Sequence, residues 1–123
     1  MRRAWWIVLL GTALACSNNP TPGVLKVNLT TPHSGADGAI LLTVSGPAVL
    51  RSATPGAGLR LFSQSLATTN HFALTGTLAS GTILTIEVPD LDKAKSYTAT
   101  IQQVAVSNYQ LRATAGYSLT VTP

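Results

Sequence analysis

Apolar residues at every second position, punctuated by glycine and proline, restrict the fold of this chain more than any other feature. Leu25, Val27 and Leu29 alternate with Lys26, Asn28 and Thr30; Phe72 and Leu74 alternate with Ala73 and Thr75. Leu84, Ile86 and Val88 alternate with Thr85 and Glu87, and Tyr117, Leu119 and Val121 with Ser118, Thr120 and Thr122. A period of two sends successive side chains to opposite faces, so each run reads as a strand with one buried face. Tyr97, Ala99 and Ile101 keep the same period, but Val104 and Val106 fall out of step with them, which predicts a bulge in between. Ala39-Ile40-Leu41-Leu42-Thr43-Val44 is apolar on both faces, as expected of a central strand.

Turn residues separate these runs. Pro32–Gly38, Gly46-Pro47 and Thr54–Gly58 read as loops, and Pro89–Ser96 as a charged loop. Val49-Leu50 opens a short third strand, and Leu59–Ser63 forms a fourth. Gln64–Asn70 and Ser107–Gly116 are irregular. Eight or nine short strands with no helical stretch after the first residues predict an all-β fold, a single antiparallel β-sandwich over residues 24–123. A closed barrel fits the irregular spacings less well. No internal repeat or second domain is visible.

The N-terminus is a different kind of sequence. Met1-Arg2-Arg3 precedes the apolar run Ala4–Leu10, then Gly11-Thr12-Ala13-Leu14-Ala15 and the only cysteine, Cys16. A basic start, an apolar stretch and small residues before a cut site describe a secretory signal peptide over residues 1–15. The run is too short for a membrane span, which needs roughly 20 apolar residues. Residues 16–23 (Cys-Ser-Asn-Asn-Pro-Thr-Pro-Gly) form a polar tether, which reaches at most roughly 25–30 Å. Both tryptophans, Trp5 and Trp6, belong to the signal and leave with it.

Thr12-Ala13-Leu14-Ala15-Cys16 resembles the lipobox of bacterial lipoproteins. The resemblance implies cleavage before Cys16, diacylglyceryl modification of its thiol and acylation of the new N-terminus. It also implies the outer membrane in a diderm host, because Ser17 rather than aspartate follows the cysteine. Each buried acyl CH₂ contributes about 0.8 kcal/mol, so two or three chains hold a domain at a membrane. Ala13-Leu14-Ala15 is also an A-x-A site for the general signal peptidase, a reading that leaves Cys16 as a free thiol.

Composition excludes several function classes. Arg2 and Arg3 depart with the signal, lowering the formal net charge from +4 by two. No basic cluster with interleaved aromatics remains, so the chain lacks the electrostatic footprint of a nucleic-acid binder. A single cysteine forbids an intrachain disulfide, and a domain of this size does not require one.

Candidate chemical groups are few. His33 lies in a turn and His71 enters a strand; neither is paired by sequence with a nucleophile motif, and no Gly-x-Ser-x-Gly elbow occurs. Asp90 and Asp92 flank Leu91 and are the one carboxylate pair with a spacing suited to Ca²⁺, but Lys93 and Lys95 adjoin them and favour a solvated mixed-charge loop. Asp37 is expected to make an Asx turn with Gly38. Zinc has no His or Cys pair at a suitable spacing, and Gly56-Ala57-Gly58 is a turn rather than a dinucleotide fingerprint. Asn28-Leu29-Thr30 is a formal glycosylation sequon. Tyr97 and Tyr117 read as core residues. Tyr109, in the loop before the last strand, is the one aromatic placed to contact a ligand.

Gly38–Val44 with Gly46–Leu50, and then Gly81–Ile86, resemble the early and late strands of cohesin-like sandwich domains, extracellular modules that bind dockerins through one sheet face. An immunoglobulin-like lipoprotein domain fits nearly as well. The expectation is therefore a membrane-anchored, non-catalytic β-sandwich with no cofactor, a binding or structural module of the cell envelope with a protein or glycan partner. A glycan-binding module centred on Tyr109 is the second reading, and a small hydrolase the third.

Overall fold

The computed structural model describes residues 20–123. The expected signal and Cys16 lie outside the described residues. Nine strands follow: β1 Gly23–Thr30, β2 Asp37–Ser45, β3 Ser52–Pro55, β4 Arg60–Leu66, β5 Thr69–Leu78, β6 Gly81–Val88, β7 Thr98–Val106, β8 Leu111–Arg112 and β9 Ser118–Thr122. They form a four-stranded sheet in the order β3-β6-β1-β9 and a five-stranded sheet in the order β4-β5-β2-β7-β8, antiparallel throughout. The fold is the all-β sandwich that the alternation predicts.

The core lies between the two inner faces. Leu25, Val27, Leu29, Leu84, Ile86 and Val88 from one sheet meet Ile40, Leu42, Val44, Phe72, Leu74 and Val104 from the other. Burying each such side chain stabilises the fold by about 1.5–3 kcal/mol. Ala39–Val44 occupies the central strand of its sheet, as its sequence implies, yet only Ile40, Leu42 and Val44 point inward; Leu41 is left exposed on the outer face.

Three register shifts explain where strict alternation fails. Gln103 pairs with Leu41 and Ile101 with Leu42, which leaves Gln102 as the bulge expected between Ile101 and Val104. A second shift, opposite Val27/Asn28, lets Ile83 and Leu84 both turn inward. The third sits at Gly38, unpaired toward both β5 and β7. Glycine is required there, because a Cβ would lie 2.7 Å from the Ser107 Cα.

Some boundaries differ from expectation. Val49-Leu50 is not a strand; residues 46–50 cross between sheets, and β3 starts at Ser52, where it pairs with Glu87 of β6. Thr54 and Pro55, expected in a loop, belong to β3. β4 extends beyond Ser63 to Leu66 and turns through Ala67-Thr68 directly into β5. Its inward positions after Leu61 are Ser63 and Ser65, so no hydrophobic alternation marks this half of the strand. Pro89–Ser96 is not an open loop: Leu91–Ser96 forms 3₁₀ turns. The Leu91 N–H donates to the Thr21 carbonyl at 2.7 Å, which fixes the chain just ahead of β1.

Candidate functional site

The outer face of the five-stranded sheet carries an apolar strip. Register places Phe62, Ala73, Leu41 and Gln103 in one row across β4, β5, β2 and β7. The next row holds Arg60, Thr75, Ala39, Ala105 and Leu111. Phe62 is 59% exposed, Leu111 70% and Tyr109 71%. With Leu41 and Leu66, they are five of the seven exposed large apolar side chains among the described residues. Two shallow hollows meet at Leu41. One, of about 320 Å³, lies between Phe62, His71, Gln64 and Gln102; the other, of about 200 Å³, lies between Ala39, Gln103, Leu111 and Tyr109.

Local backbone geometry sets Tyr109 where it is. Its N–H donates to the Val106 carbonyl at 2.8 Å and the Val106 N–H to the Gln110 carbonyl at 3.0 Å, closing the turn between β7 and β8. The turn needs a left-handed residue, and Tyr109 supplies it with φ of 65°. A bulky side chain in that region is strained, and glycine would relieve it. The exposed position expected from sequence is therefore found, with a strain that sequence does not reveal.

No carboxylate reaches this face. Asp37 is buried, Glu87 lies on β6, where it accepts from the Ser52 hydroxyl at 2.7 Å, and Asp90 and Asp92 lie in the 3₁₀ segment. Arg60 and His71 are the basic side chains on the strip's own positions. The strip is thus apolar with a weakly basic border, suited to an apolar or amphipathic partner surface.

A second polar constellation sits inside one end of the sandwich, around Asp37. This residue is not in an Asx turn: it opens β2 and its side chain is fully buried. By count from Ile40 it should face outward, and the Gly38 bulge turns it inward. Asp37 Oδ2 accepts from the Thr31 hydroxyl at 2.9 Å, and the Tyr117 hydroxyl lies 3.0 and 2.9 Å from its two oxygens. Arg112 Nε approaches Oδ1 to 3.0 Å. Its N–H is not aligned as a hydrogen bond, so the attraction is chiefly Coulombic. The group ties the ends of β1 and β2 to β8 and to the segment entering β9.

His33 stacks on Tyr117, with ring centroids 6.1 Å apart, and its Nδ1 lies 3.2 Å from the Tyr117 oxygen. The Tyr117 proton is committed to Asp37, so a hydrogen bond here requires a proton on Nδ1. Tyr117 is thus partly buried and polar-anchored rather than a simple core residue. Burial, then the hydrogen bond to Asp37 and its charge, push the Tyr117 phenol up, against opposing effects of Thr31 and Arg112. Burial also raises Tyr97, with Asp90 adding to it.

Other sequence candidates are placed as follows. His71 faces outward from β5, far along the chain and on a different surface from His33; among the described residues, neither ring is hydrogen-bonded to a serine or threonine hydroxyl. Asp90 and Asp92 do not converge. Asp90 Oδ1 caps the 3₁₀ turn by accepting from the Asp92 N–H at 3.1 Å, and also accepts from the Thr21 N–H at 3.4 Å. Among the described residues no three His, Cys, Asp or Glu side chains gather as a metal site would require. Asn28 of the sequon is engaged with Thr82 and Thr122 on the outer face of the four-stranded sheet. Asn70 is buried beside a hollow of about 180 Å³ lined by Ser63 and Ser65, its Nδ2 without a protein partner.

Comparison with protein-family models, with curated proteins and with solved structures finds no match to this chain.

Proposed function

We propose that this chain is a non-catalytic lipoprotein of a bacterial cell envelope, anchored through Cys16, whose sandwich binds a partner on the outer face of its five-stranded sheet. The observation that carries the reading is the gathering of Leu41, Phe62, Tyr109 and Leu111 on one face that no carboxylate approaches. Support for the anchor is the lipobox resemblance and the short polar stretch between Cys16 and β1. The partner is an envelope protein with an apolar contact surface. A glycan partner is the second reading, favoured by the strained, exposed ring of Tyr109.

A photoreactive residue at position 62, compared with one at Lys26 on the opposite sheet, tests the site in the host membrane. The expected result is a cross-linked species specific to position 62, heavier than two copies of this chain allow or distinct from it by mass, and abolished by Leu41→Lys. Equal background capture at both positions would overturn the reading. Capture of glycan, lost with Tyr109→Ala, would replace the protein partner by a sugar. The intact mass of the mature chain shows whether Cys16 carries lipid.

A further inference from the structure

β4 is an edge strand without the usual protection. Its ladder with β5 runs from Arg60↔Thr75 to Leu66↔Thr69 with no register shift, and its other side pairs with no strand among the described residues. The sequence Arg60-Leu-Phe-Ser-Gln-Ser-Leu66 holds no proline, no lysine and no inward charge, the devices that keep edges from pairing. The other edges are blunted: β3 has four residues and ends in Pro55, β8 has two, and β9 has five.

We infer that two copies of this chain join through β4, antiparallel about a two-fold axis at Ser63, so that the five-stranded sheets become one continuous sheet. The strand is complementary to itself in this register. Ser63 faces Ser63 of the second copy, Phe62 faces Gln64, Leu61 faces Ser65 and Arg60 faces Leu66. Outward residues meet outward residues and inward meet inward. Arg60 is the only charge on the strand, and the pairing sets it opposite leucine, so no like charges are opposed. The two Phe62 rings become diagonal neighbours, about 7–8 Å apart at the backbone and within reach of each other. The apolar strip then runs unbroken from one copy to the other. A two-fold contact of this kind closes after two copies and does not propagate. It also sets the two β1 starts at opposite ends of the pair.

The register makes position 63 its own partner, which gives a direct test. Sedimentation of the full chain in density-matched detergent should show a monomer–dimer equilibrium. Ser63→Lys and Ser63→Glu, each at an exposed position of the monomer, should each sediment as folded monomers, because like charges then face each other. An equimolar mixture of the two should restore the dimer. A wild-type chain that stays monomeric into the high micromolar range overturns the inference. So does a dimer that survives both substitutions, or a mixture that fails to pair; circular dichroism melting confirms that each variant is folded, and the glutamate variant serves alone if the lysine variant is not.

Discussion

Removing the Arg112 guanidinium should expose how much of this fold rests on one buried charge. The Asp37 side chain is 0% exposed, so after Arg112→Leu a carboxylate remains in the interior with only two neutral donors, Thr31 and Tyr117. Breaking a fully buried ion pair by deleting one partner costs about 3–5 kcal/mol. Two features reduce the figure here. Arg112 is 25% exposed, and its Nε–H is not aligned on the carboxylate, so the pair is weaker than an ideal one. The expected loss is about 2–3 kcal/mol, a fall in Tm of about 8–12 °C for a domain of this size. Urea unfolding at neutral pH, followed by tryptophan-independent circular dichroism, measures it directly. Asp37→Asn keeps the shape and one accepting oxygen while removing the charge, so Arg112→Leu should cost at least about 1 kcal/mol less in that background. A loss below about 0.5 kcal/mol, or strict additivity of the two changes, would refute the claim that the ion pair is energetically coupled.

Alkaline pH and a strained turn give two further tests. The Tyr97 and Tyr117 phenols are raised above 10.0, so the folded state holds their protons more tightly than the unfolded chain. Their contribution is complete below the unfolded value and is lost as the pH rises through the folded one. Thermal melts at increasing alkaline pH should therefore show Tm falling from about pH 10 upward, with a shallower fall in Tyr117→Phe. Ala67 holds φ of 54° in the β4–β5 turn, a conformation that costs a residue with a Cβ roughly 1–2 kcal/mol. Ala67→Gly should raise stability by about 0.5–1 kcal/mol after the larger unfolded-state entropy of glycine is counted; an unchanged or lowered urea midpoint would argue against strain there.

The strands that bury one apolar face were legible because packing imposes the period that the sequence displays. Leu25, Val27 and Leu29 show it plainly, as do Leu84, Ile86 and Val88. β4 was half hidden because Ser63 and Ser65 occupy inward positions at an open seam, where the core does not demand an apolar residue. The Asp37 cluster was not legible at all. Its members come from segments up to 86 positions apart in number, Thr31 to Tyr117, and a single glycine bulge reverses the facing that simple counting assigns to Asp37. A glycine directly after an aspartate at the head of an apolar run was the available signal, and it is equally the signal of a turn. Tyr109 could be placed on the surface from sequence, but its company could not. Leu41, Phe62 and Leu111 join it only through cross-strand register, which depends on where the bulges fall.

The two outer faces of the sandwich argue for separate roles. On the four-stranded sheet the outward positions carry Val24, Lys26, Asn28, Thr85, Glu87, Thr120 and Thr122, polar in all but the first, and Asn28 hydrogen-bonds across strands to Thr82 and Thr122. That is what solvent selects on one side of an antiparallel sheet. The five-stranded sheet has the same solvent and the same kind of ladder, yet it presents Leu41, Phe62, Leu111 and the strained Tyr109. Polar residues at these exposed positions would change stability by about 0.5 kcal/mol or less, and glycine at 109 would improve it. Stability therefore does not account for the apolar strip, because the core and the Asp37 cluster hold the fold without it. The partner contact proposed above would account for it, and for the strain at Tyr109 as well, since the turn holds the ring out beside Leu111.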